Sequence, residues 1–175
     1  MLHHFGGFSG FRAHISYLPD HAVGVAVFTN DSTGGLRLVN AVAEYVYDRM
    51  AGDRQAEHRL DAALDTVAAH VREAARAIVA DHARRASLNF ALVRAHAAYV
   101  GAYESPAWGR IEISERDRTL RVTCGVLHTL AEPLDKPDAV WVELEPGEGN
   151  VLQFEGDGAQ PDSLLLEGRR FHRTT

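Results

Sequence analysis

The chain has 175 residues, 46% of them hydrophobic and 24% charged, which suits one large or two small folded domains and excludes a disordered polyelectrolyte. Its net charge is −6, with 8 basic against 13 acidic groups from Gly109 onward; an acidic chain without a basic stripe repels phosphate backbones, so no nucleic acid is expected as a partner. No apolar run reaches the roughly 18–20 residues of a spanning helix, so no membrane span is expected, and the lone Cys124 can build neither an internal disulfide nor a cysteine-based metal cluster.

In chain order, Phe11 to Leu18 and Val23 to Thr29 read as two antiparallel strands joined at Pro19-Asp20-His21-Ala22, where proline presets φ and the aspartate can bond its own backbone. Small residues alternate with Val23, Val25 and Val27, which implies close packing on one face. After the breaker cluster Asn30 to Gly35, apolar residues recur at helical spacing from Leu36 to Met50, predicting a helix that lies on the hairpin. From Asp53 to about Arg85 there is no Gly or Pro after Asp53 and the composition favours a long helix. Leu60, Leu64, Val67, Val71, Ala74 and Ile78 form a 3.5-residue stripe that suits either a homo-oligomeric seam over residues 60–78 or a stripe buried within the same protein. A further helix is expected over Leu88 to Tyr99.

Beyond Tyr99 the period changes to two. Seven strands are expected, at Arg110–Ser114, Leu120–Thr123, Leu127–Leu134, Val140–Leu144, Val151–Glu155, Ser163–Leu166 and Arg169–Arg173, joined by tight turns in a closed antiparallel meander. The fold class is thus α+β.

The stretch His4-Phe5-Gly6-Gly7-Phe8-Ser9-Gly10-Phe11 through Leu18-Pro19-Asp20, followed by Val23 to Asn30, resembles the end of the class C β-lactamase and penicillin-binding-protein-like serine hydrolases. Tyr99 to Gly109 with Phe171-His172-Arg173 resembles the lipocalin-like barrel appended to such enzymes. The resemblance implies a partial antiparallel sheet and closing helix as the remnant of a hydrolase domain over residues 1–52, a helical linker over 53–98 and a small lipocalin-like β-barrel over 99–175. It also implies that His4 faces substrate, that Gly6 and Gly7 form the backbone wall of the cleft, and that the Gly7 N–H contributes to an oxyanion hole.

The nucleophile that this resemblance requires is missing. No Ser-x-x-Lys and no Tyr-x-Asn occurs, and Lys136 is the single lysine. Ser87-Leu88-Asn89 lies downstream of the His-x-Gly strand, where the family does not place that motif. The expectation is a C-terminal fragment of an acyl-serine amide or ester hydrolase, with a small-molecule or peptide substrate in the intact enzyme, inactive by itself. The alternative is a non-catalytic ligand-binding or oligomerisation module built on the barrel and the long helix. His58, His70, His82 and His96 never reach the i, i+4 spacing that chelates zinc, and neither glycine pair sits in a phosphate loop, so no metal and no cofactor are expected. Trp108, Trp141, Tyr99 and Tyr103 fill or cap the barrel, unless its interior holds a small apolar ligand. Met1 to Gly7 has no basic stretch followed by an apolar segment, which favours a cytoplasmic location, with a periplasmic or secreted one if sequence precedes Met1.

Overall fold

In the computed structural model, which describes residues 1–174, the proline turn forms as expected, as a single 3-10 turn over Pro19–His21 closed by Ala22 in the left-handed region. It joins β2 (Phe11–Leu18) to β3 (Val23–Thr29), and β1 (Leu2–Phe8) adds a third antiparallel strand on the other side of β2. The β1–β2 turn is two residues long and places Gly10 at φ +79°, a conformation that glycine adopts without strain. Helix α1 (Gly35–Met50) covers one face of this sheet with Val39 and Ala43. At its start the Asp31 carboxylate accepts from the Thr33 and Gly34 N–H groups, supplying the partners that the first turn lacks. A side chain at Gly35 would place its Cβ 2.8 Å from the Thr29 methyl, so only glycine lets the helix approach the strand this closely.

Helix α2 (Ala56–Ala86) is the long helix that the composition announces. Asp53 caps the Gln55 N–H, and Arg59 bonds the carboxylates of Asp48 and Asp53, both at 2.7 Å. The Asp53 carboxyl is held below its ordinary pKa by the Gln55 N–H and then by Arg59. The chain divides into two units, Met1–Ala80 and Asp81–Thr175.

The second unit is a nine-stranded, nearly closed antiparallel barrel: β4 (Gly101–Ser105), β5 (Gly109–Arg116), β6 (Thr119–Cys124), β7 (Leu127–Leu130), β8 (Glu132–Pro133), β9 (Ala139–Glu145), β10 (Glu148–Glu155), β11 (Ser163–Leu166) and β12 (Arg169–Arg173). The order β7-β6-β5-β4-β12-β11-β10-β9-β8 brings the first and last strands together. Tyr99, Tyr103, Ile111, Leu120, Leu152 and Leu164 are fully buried inside. At about 25 cal/mol per Å² of apolar surface, such residues dominate the stability of the unit.

The chain is α+β, but the expected arrangement is corrected at several points. The first unit is a small three-stranded sheet with its own helix, in which residues 2–8 pair with β2 along their whole length. The barrel has nine strands where seven were expected. Gly101–Ser105 pairs with both β5 and β12, though only Tyr103 of it is a large inward residue. The expected strand Leu127–Leu134 breaks at Ala131, whose N–H donates to the Leu120 carbonyl, so its two pieces lie at opposite ends of the sheet order. Pro133 suits such an edge position.

The helix expected over Leu88 to Tyr99 is a single turn, α3 (His96–Tyr99). The preceding backbone is drawn to the barrel: the Val93 N–H donates to the Asp138 carboxylate, the Arg94 N–H to the Tyr99 hydroxyl, and the Asp138 N–H to the Ala91 carbonyl. Phe90 and Leu92, two apart, pack on the core. Arg94 secures the arrangement through Asp138 at 2.8 Å and the carbonyls of Gly156 and Gly158.

A bare apolar sheet face as candidate functional site

The first unit carries an inverted sheet. Along β2, Arg12, His14, Ser16 and Leu18 alternate with Phe11, Ala13, Ile15 and Tyr17. Solvent would ordinarily meet the polar set, yet this is the set that α1 covers, and His14 and Ser16 are only 5% and 3% exposed. Their burial is tolerable because each polar atom is paired. His14 Nδ1 lies 2.9 Å from Asn40 Oδ1 and its Nε2 lies 2.8 Å from Ser16 Oγ, which is 2.7 Å from the Tyr47 hydroxyl. The tautomer with the proton on Nδ1 donates to Asn40 and accepts from Ser16, leaving Tyr47 to donate to Ser16. Phe5 meets the His14 ring edge-on at 5.4 Å.

The serine, histidine and asparagine stand in the order of nucleophile, base and orienting group. The hydroxyl is nonetheless sealed beneath α1 and committed to Tyr47, so the arrangement fastens the helix to the sheet.

The opposite face is uncovered. Register places Leu2, Tyr17 and Gly24 in one row, His4, Ile15 and Ala26 in the next, Gly6, Ala13 and Phe28 in the third, and Phe8 with Phe11 at the end. No Asp, Glu, Lys or Arg occupies these rows. Phe8 is 73% and Phe28 70% exposed, and Leu2, Phe11, Ile15 and Tyr17 are exposed as well. Phe8, Phe11 and Phe28 wall an open groove of about 270 Å³ over Gly6 and Ala13. The outer edges of β1 and β3 are also unpaired among the described residues.

The predicted site residues are thereby placed. His4 and Gly6 lie on the bare face, whereas Gly7 is in register with Arg12 on the helix-covered side. Phe8, Phe11, Tyr17 and Phe28, the substance of the surface, were not singled out from the sequence, although the alternation in β2 contains Phe11 and Tyr17 and that in β3 contains Phe28. The 60–78 stripe is not free along its length: a Cβ at Gly34 would come within 2.8 Å of Val71 and 3.0 Å of Val67, while Ile78 and Val79 are exposed. In the barrel, Tyr99 and Tyr103 fill the interior where a ligand would need space. Trp108 stands outside beneath the Arg169 guanidinium at 3.9 Å, and Trp141 carries that of Arg85 at 4.6 Å. Among the described residues, no three His, Cys, Asp or Glu side chains gather as a metal site, and no helix is long and apolar enough to cross a membrane.

No known family model matches the chain, and no curated protein matches it. Among solved structures, a crystal structure of SurE is similar at 15% identity and a TM-score of 0.40, over 98% of this chain and 34% of that one. The chain spans about a third of that protein's length, and a likeness this remote carries no argument about fold or function. The expected kinship with β-lactamase-like serine hydrolases and their lipocalin-like barrel is therefore overturned: the motifs that suggested it bring no family with them.

Proposed function

We propose that this chain is a non-catalytic interaction module that engages a partner through the bare face of its three-stranded sheet. The observation that carries the reading is the inversion of β2. A sheet that buries its histidine and serine under a helix and turns phenylalanines outward is built to be covered on both sides. The face holds no Asp, Glu, Lys or Arg and is flanked by strand edges that are unpaired among the described residues, which suits burial against another apolar layer. It suits the polar work of a hydrolytic cleft poorly, since the Gly6–Gly7 stretch has no partnered nucleophile beside it. No turnover of a chromogenic ester or β-lactam is expected.

The test is the double substitution Phe8→Ser with Phe28→Ser. Both side chains are exposed, so far-UV circular dichroism should stay unchanged. Binding of the apolar dye anilinonaphthalene sulfonate, measured at the lowest usable protein concentration, should fall several-fold. Equal dye binding by the variant and the parent would refute the reading.

A further inference from the structure

We infer that the partner for this face is a second copy of the chain, packed sheet to sheet about a two-fold axis that runs parallel to β2 within the interface. The inference rests on the interaction-module reading above and deepens it by naming the occupant.

Area is the first argument. Six large side chains, Leu2, Phe8, Phe11, Ile15, Tyr17 and Phe28, are between 44% and 73% exposed. Together they present on the order of 700 Å² of apolar surface, taking roughly 200 Å² for each. The largest patch on an ordinary monomer is roughly 300–600 Å², and each partner in a standard stable interface contributes about 800 Å². The face exceeds the first and approaches the second.

Shape is the second argument, and it singles out this symmetry. A two-fold axis along β2 keeps each row of the sheet over the same row of the other copy and exchanges the outer strands, so β1 lies over β3. The register then sets a large residue against a small one in each of three rows: Phe28 over Gly6, His4 over Ala26, and Leu2 over Gly24. On the axis, Phe11, Ala13, Ile15 and Tyr17 meet their own counterparts. The small residues let two sheets approach to the roughly 10 Å at which stacked sheets interlock. An isologous contact must be self-complementary, and the pairing of bulk on one outer strand with its absence on the other meets that condition. Charge offers no obstacle, because the rows hold no Asp, Glu, Lys or Arg.

Sedimentation velocity on the whole chain from about 1 to 100 µM tests the inference. The expected result is a dimer that Phe28→Glu converts to monomer, and that Gly6→Phe, which fills the cavity facing Phe28, weakens by at least about tenfold. Circular dichroism at 222 nm, which records α1 and most of α2 in the same unit as the substitutions, confirms that both variants fold. Position is read separately by oxidative crosslinking on a Cys124→Ser background. Ile15→Cys, on the axis, should form a disulfide-linked dimer, while Ala26→Cys, which faces His4, should not.

A monomer across the whole range overturns the inference, as does a dimer that survives Phe28→Glu, or crosslinking of Ala26→Cys as fast as Ile15→Cys. A monomer whose dye binding depends on Phe8 and Phe28 overturns self-pairing and leaves the interaction module standing. A monomer without that dependence overturns both.

Discussion

Replacing Asn40 with leucine probes the buried network beneath α1. The side chains are similar in size, so packing changes little, but His14 loses the partner of one ring nitrogen at a position where it is 5% exposed. Either tautomer leaves one nitrogen without a hydrogen bond, because Ser16 serves only the other. An unsatisfied buried polar group costs about 1–3 kcal/mol. The first unit has 80 residues, a size at which each kcal/mol moves the melting temperature by roughly 4–8 °C. The expected loss is therefore on the order of 4–20 °C.

The two units can be followed separately. Helix α1 and most of α2 belong to the first unit, whereas both tryptophans, Trp108 and Trp141, belong to the second. Circular dichroism at 222 nm should record the loss, with tryptophan fluorescence as the internal control. Adding His14→Phe removes the orphaned partner and should restore at least half of the stability, since deleting both halves of a buried hydrogen bond costs less than deleting one. A shift below about 2 °C for Asn40→Leu, or a double variant as unstable as the sum of the singles, would refute the reasoning.

In the barrel, Leu164→Ala should cost about 2–5 kcal/mol by opening a cavity among fully buried neighbours, read as a lower urea midpoint in tryptophan fluorescence. The phenols of Tyr99 and Tyr103 are raised above their ordinary pKa of 10.0, chiefly by burial, with the Asp138 carboxylate adding to the effect at Tyr99. The native state keeps the proton that the unfolded chain releases, so this contribution is fully present below pH 10 and is lost as pH rises past it. The urea midpoint should fall between about pH 9 and pH 11, and Tyr103→Phe should make that fall shallower.

Much of the first unit was legible because local chemistry dictates it. The proline turn, the valine-rich β3, the breaker cluster and the spacing from Leu36 to Met50 each act over a few residues. The same locality explains the misleading resemblance, since a hairpin, a turn and a helix of small residues call for similar letters in unrelated proteins.

The covered side of the sheet was not legible. Alternation divides β2 into two faces but does not say which one meets the helix. That choice depends on Asn40 and Tyr47, which lie 26 and 31 residues away from their partners His14 and Ser16. Strand β4 and the break at Ala131 were hidden for a related reason: both follow from barrel closure. The segment before α3 had helical composition, yet Asp138, 45 residues away in sequence, and the buried Tyr99 hydroxyl took its backbone donors.

The order of the barrel strands carries a kinetic consequence. Every pairing in it joins neighbours in sequence except β4 with β12, so the unit consists of two meanders, Gly101–Leu130 and Glu132–Arg173, hinged at Ala131. Each can assemble through short loops, whereas the single long-range pairing, Tyr103 with Arg173 and Glu104 with His172, must close a loop of about seventy residues. Loop entropy grows only logarithmically with length, but the distant contact has to be found before it rewards the search. The seam between the first and last strands is thus the step that sets how fast the barrel forms, and substitutions along it should slow refolding more than equally destabilising ones inside either meander.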